Sequence, residues 1–65
     1  MELRQKCKIN FDDRIYKVID IRKIVTDKST KNTSEFIIEY FVDLEEVKNP
    51  ENRKMNISTT KVYPI

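Results

Sequence analysis

Glycine, alanine, histidine and tryptophan do not occur in this chain, and cysteine occurs once, at Cys7. Each absence closes a class of function. Without histidine, and with one thiol, the usual zinc constellations and the Ser-His or Cys-His nucleophile pairs cannot be assembled. Without glycine there is no phosphate-cradling loop of the Walker or dinucleotide type, since such loops bring bare backbone up to the phosphate. The chain therefore reads as not an enzyme, with no cofactor and no metal site. One cysteine cannot form an internal disulfide, so Cys7 reads as a buried thiol in a reducing compartment. No apolar run nears the roughly 18 residues of a membrane-spanning helix. The opening MELRQKCK lacks the apolar segment of a secretory signal, so a cytoplasmic location and no membrane partner are expected.

The missing glycine also constrains the turns. Tight hairpins of the primed types need positive φ, so without glycine the connections should be longer or should place Asp12-Asp13, Asn32 or Asn52 at those positions. Isoleucine and lysine occur nine times each and asparagine five times. Those residues use AT-rich codons, so the composition points to a low-GC bacterium, a phage or a mobile element, where so small a protein would suit an inhibitor or modulator of a host factor.

What is present is a run of β-forming segments in one 65-residue domain. A chain this short buries only about 60% of its unfolded surface, so its stability is marginal and association would help. Met1 to Phe11 alternates, with Met1, Leu3, Cys7, Ile9 and Phe11 on one parity and Glu2, Arg4, Lys6 and Lys8 on the other. It reads as a half-buried strand with a basic outer face. IYKVIDIRKIVT, from Ile15 to Thr26, also fits a helix capped by Asp12 or Asp13, but its Ile and Val content favours a strand. Its apolar parity changes between Val18 and Ile19, which predicts a bulge within Val18 to Asp20. Thr26 to Thr33 has no apolar residue and reads as a loop. Residues 43–48 admit a fraying strand end or one short helical turn capped by Asp43. RKMNISTTKVYPI reads as a last strand with an irregularity at Thr59 to Lys61, and Pro64 suits an edge.

The densest apolar stretch is SEFIIEYFV, Ser34 to Val42. On a strand, Phe36, Ile38, Tyr40, Val42 and Leu44 share one face, expected in the core against Leu3, Cys7, Ile9, Ile19 and Ile57. The fold expected is all-β: an antiparallel sheet of four to five strands coiled into a small barrel. In outline the order YKVIDI, FIIEYFVD and TKVYPI resembles the small SH3-like and Tudor-like barrels over the last fifty residues or so. Such barrels serve many unrelated functions.

Charge is uneven, at net +3 over residues 1–25, −5 over 33–52 and +3 over 53–65. Cross-strand ion pairing of an acidic strand between basic ones accounts for this structurally. Two functional readings stand beside it. In the first, the odd face of the central strand, Glu35, Ile37, Glu39, Phe41 and Asp43, sets an apolar pair among acids and is the expected docking site for a protein partner or a second copy. In the second, Arg4, Lys6, Lys8, Arg22 and Lys23 form a basic patch, with Tyr16 stacking on a base, in a nucleic-acid-binding barrel. A net charge of only +2 weakens that alternative. A third is an oligomer that holds a small ligand in clefts between subunits.

Overall fold

The computed structural model describes all residues, Met1–Ile65. Five strands, β1 (Lys6–Ile9), β2 (Tyr16–Asp27), β3 (Phe36–Glu46), β4 (Arg53–Ser58) and β5 (Val62–Pro64), form one antiparallel sheet, with a 3₁₀ turn at Thr59–Lys61. The spatial order is β4-β3-β2-β1-β5, a meander whose last strand returns beside the first. β4 and β5 are edges and do not pair with each other, so the sheet is open where a closed barrel was expected.

Cys7, Tyr16, Val18, Val42 and Leu44 are fully buried, Val62 nearly so, and Ile9, Ile21 and Ile57 pack against them. Two bulges bring these residues to one side. Val18 pairs with Leu44 but Asp20 pairs with Asp43, leaving Ile19 as the extra residue that the parity change predicts. Because of it, Tyr16 and Val18 before the bulge and Ile21 and Val25 after it share the face of Val42 and Leu44. On β4, Lys54 pairs with Leu44 and Ile57 with Val42, so Met55 and Asn56 together oppose Asp43. Asn56 takes φ 53° there, in the left-handed region that asparagine tolerates better than most residues.

The extent of the first strand departs from expectation and two open alternatives are resolved, each for a visible reason. The first strand is only Lys6–Ile9, because Arg4 (φ 64°) and Phe11 (φ 65°) turn the chain on either side of it. Leu3 and Phe11, assigned to the inner face by alternation, are consequently exposed. Of the two ways to do without glycine, the longer connection is the one used: residues 28–35 join β2 to β3, and positive φ does not fall on Asp12, Asp13, Asn32 or Asn52. The loop after β2 closes instead through side chains: the Ser29 and Glu35 N–H groups donate to Asp27 Oδ1 and Ser29 Oγ at 2.8 and 3.1 Å. Finally, of the two readings of residues 43–48 the strand end is the one that forms and the helical turn does not, since β3 runs to Glu46 with its backbone engaged on both sides. The Glu46 N–H donates to the Asn52 carbonyl at 3.0 Å, and the Val47 N–H to that of Ile15 at 2.9 Å.

β2 and β3 have 12 and 11 residues, against 4, 6 and 3 for β1, β4 and β5. The short strands cover only one end of the long hairpin. The molecule is accordingly drawn out, with extents of 51 × 19 × 16 Å. No helix is long and apolar enough to cross a membrane.

Candidate partner-binding site

Beyond Arg22 and Phe41 the hairpin continues without a third strand. β4 ends with Ser58 opposite Phe41, and β1 engages β2 only as far as Val18. Lys23–Asp27 and Phe36–Tyr40 thus stand out as a two-stranded arm.

One face of the arm prolongs the core. In sequence along it come the pairs Ile21/Val42, Lys23/Tyr40, Val25/Ile38 and Asp27/Phe36. Val42 is fully buried, whereas Tyr40, Ile38 and Phe36 are 45, 53 and 60% exposed and Val25 is 52% exposed. The stripe is chemically continuous, and only its cover stops. At its foot a shallow groove of about 350 Å³ is lined by Met1, Ile21, Tyr40 and Thr59.

The opposite face carries the residues singled out for partner binding. Ile37 pairs with Thr26, Glu39 with Ile24 and Phe41 with Arg22; Ile37 and Phe41 are half-buried and Glu39 is exposed. Glu35 precedes the strand in the loop. Asp43 is taken out of the set, being only 3% exposed. Its Oδ1 accepts the Asn56 N–H at 2.9 Å and an Arg22 N–H at 3.0 Å, and its Oδ2 accepts a second Arg22 donor in a two-pronged pair. The same guanidinium also donates to Asn56 Oδ1 and lies 3.6 Å from Asp20. Asp20 and Asp43 sit directly opposite each other, so the bridging Arg22 removes a like-charge clash. The Asn56 N–H, with Arg22 in support, outweighs desolvation and holds the Asp43 carboxyl below the usual carboxylate range. This cluster locks the arm's root to the bulge of β4. Glu45 and Glu46 likewise have their own cations, Lys17 at 3.7 Å and Arg53 at 3.9 Å for Glu45, and Arg14 at 3.9 Å for Glu46.

Of the nucleic-acid reading, Lys6 and Lys8 share one face of β1 with Lys17 opposite Lys6, whereas Tyr16 and Arg22 are otherwise engaged. Tyr16 is fully buried and its hydroxyl donates to Asp12 Oδ2 at 2.7 Å, so it offers no face to a base. Burial, with that bond to the Asp12 carboxylate next, pushes the Tyr16 phenol up. Arg22 is committed to Asp43. Lys6 faces Lys17 on β2 and Lys8 faces Tyr63 on β5, Arg4 is in the turn before β1, and Lys23 is on the arm.

Sequence reasoning missed Val25, Phe36, Ile38 and Tyr40 as surface residues because alternation reports which face is apolar and not what covers it. Length gives no warning, since residues 1–15 and 47–65 each outnumber the 12 and 11 residues of β2 and β3; the flanking segments stop short because they turn. Compared with known protein families, with curated proteins and with solved structures, the chain matches none.

Proposed function

We propose that the chain is a noncatalytic protein-interaction module that associates with itself, and that the arm makes the contact. One observation carries the reading: Val25, Phe36, Ile38 and Tyr40 continue the face that Val42 and Leu44 bury, and they continue it into solvent. A lone two-stranded ribbon is at best marginally stable in water. An apolar patch left bare on one is the kind of surface that protein contacts cover. With 7 of 65 residues buried, the monomer has little core of its own, and pairing adds stability by mass action.

We also read the sheet as an opened relative of the small SH3-like and Tudor-like barrels. The meander, the return of β5 beside β1 and the 3₁₀ turn before it support that reading. It is an analogy of fold and assigns no partner.

Equilibrium sedimentation over a wide concentration range tests self-association. Wild type shifts to a dimer as concentration rises, whereas the double variant Phe36→Lys, Ile38→Lys stays monomeric with an unchanged circular dichroism spectrum. Wild type that remains monomeric throughout overturns the proposal.

A further inference from the structure

The bare face of the arm carries charge as well as apolar groups. We infer that a second copy covers it, the two arms packing face to face and antiparallel about a two-fold axis that runs between the sheets, across the strands, over the Val25/Ile38 pair. This rests on the self-association proposed above and adds to it the surface and the register.

The face has a symmetry of its own. Side chains alternate along a strand, so Lys23, Val25 and Asp27 of β2 share this face with Tyr40, Ile38 and Phe36 opposite them on β3. Lys23 and Asp27 are exposed and enter no ion pair within the chain, whereas Arg14, Lys17, Arg22 and Arg53 all do. The two unpaired charges stand two residues to either side of Val25, about 13 Å apart at strand rise. Phe36 and Tyr40 stand in the same way about Ile38. A patch with one cation and one anion equally far from an apolar centre is complementary to its own image turned end for end. That self-complementarity is what singles out a second copy as the occupant.

One packing uses it. Facing sheets lie about 10 Å apart with their strands nearly aligned. With the axis over Val25/Ile38, Lys23 of each copy lies over Asp27 of the other, Phe36 lies over Tyr40, and Val25 and Ile38 meet their own images. Each of the first two contacts is made twice. An axis over Lys23/Tyr40 or over Asp27/Phe36 sets lysine over lysine or aspartate over aspartate instead. Axes midway between these positions put one of the charges over Val25. Turning the axis along the strands lays Asp27 over Phe36, which desolvates the carboxylate with no cation to meet it.

Shape points the same way. Phe36, 60% exposed, comes down beside Tyr40 of the second copy, where the groove of about 350 Å³ between Met1, Ile21, Tyr40 and Thr59 opens. Each copy thus offers one projection and one hollow. Covering the bare parts of Val25, Phe36, Ile38 and Tyr40 on both copies, with the stems of Lys23 and Asp27, removes roughly 1,000 Å² from water, the low end for a specific interface. The dimer accordingly dissociates on dilution. Its ion pairs lie at the rim, where they set register more than strength.

Charge exchange tests the register, read by equilibrium sedimentation at about 50 mM salt, where screening is weak. In the inferred dimer Lys23→Glu opposes acid to acid, and Asp27→Lys opposes base to base. Each variant alone is expected to associate several-fold more weakly than wild type. Mixed one to one they regain association close to that of wild type, because the two substituted positions meet each other and the untouched Asp27 meets the untouched Lys23. Mixing leaves the fold of each chain as it was, so the recovery reports contact between copies. A wild-type monomer at every concentration overturns this inference and the self-association beneath it. A wild-type dimer whose mixed variants associate no better than the separate ones overturns the face-to-face register alone.

Discussion

The two halves of one hairpin behave oppositely. From Tyr16 to Ile21, and from Val42 to Glu46, β2 and β3 pair with each other and bury their shared face; from Arg22 to Asp27, and from Phe36 to Phe41, they pair just as continuously and leave much of it bare. Composition does not separate them, since Val25, Ile38 and Phe36 are as apolar as Val18, Val42 and Leu44. The difference lies in the neighbours. β1 stays with the first half, β4 goes past it only to Phe41, and β5, the source of Val62 in the core, lies beyond β1. Local pairing is thus a property of the hairpin, whereas burial is conferred by strands remote in sequence.

Paired truncations at matched positions give the largest contrast. Leu44→Ala should cost about 3 kcal/mol in urea denaturation, or unfold the chain outright, because a fully enclosed side chain leaves a cavity. Ile38→Ala at a concentration that keeps the chain monomeric should cost less than about 1 kcal/mol, since its site already faces water. Equal losses would mean that the arm is covered within the monomer, and the contrast would collapse.

The seam between the halves gives an intermediate effect. Asp43→Ala leaves the Asn56 N–H and the Arg22 guanidinium without their acceptor, and should cost about 2 kcal/mol. The same carboxylate makes the seam sensitive to acid. Its pKa is lower folded than unfolded, so its contribution is present above the unfolded value near 3.9 and is lost as pH falls through the folded one. Thermal melts below about pH 4 should therefore show wild type losing stability more steeply than Asp43→Asn. A slope remains in that variant from Asp12, held low first by the Tyr16 hydroxyl, and from Asp27, held low by Ser29. Identical slopes would remove Asp43 from the account.

The smallest effect belongs on the arm itself. Val25→Thr keeps the β-branched shape and adds a hydroxyl where the side chain is half in water, so monomer stability should stay within about 0.5 kcal/mol of wild type. A loss of the size expected for Leu44→Ala would place Val25 in an interior.

Much of the fold was legible in the chain because it is recorded locally. The shift of apolar parity around Val18 to Asp20 is the bulge at Ile19, the polar run after Thr26 is the hairpin loop, and the break at Thr59 to Lys61 is the 3₁₀ turn. The rest depended on distant partners or on hidden backbone. Met1 to Phe11 alternates well enough to suggest one strand, and only the left-handed Arg4 and Phe11, residue types that do not advertise such a conformation, cut it short. The capping pattern at Asp43 was overridden by β2 and β4, which claim the backbone on both sides and draw the Asp43 carboxylate to Arg22. Of the odd-face residues, Ile37, Glu39 and Phe41 do share one face of the arm. The barer apolar stripe lies on the other face, which the pattern assigned to the core.

The return of β5 beside β1 also bears on the order of events in folding. Asp27 and Phe36 meet across a short loop, whereas Cys7 and Pro64 meet across almost the whole chain. Closing a long loop costs more entropy than closing a short one, and contacts of high sequence separation slow folding. The hairpin can therefore zip from its tip well before Val62 arrives over Cys7 and Val42. Until then the whole length of β2 and β3 is in the condition that the arm keeps in the folded monomer, and the last strand to dock decides how much of the hairpin leaves it.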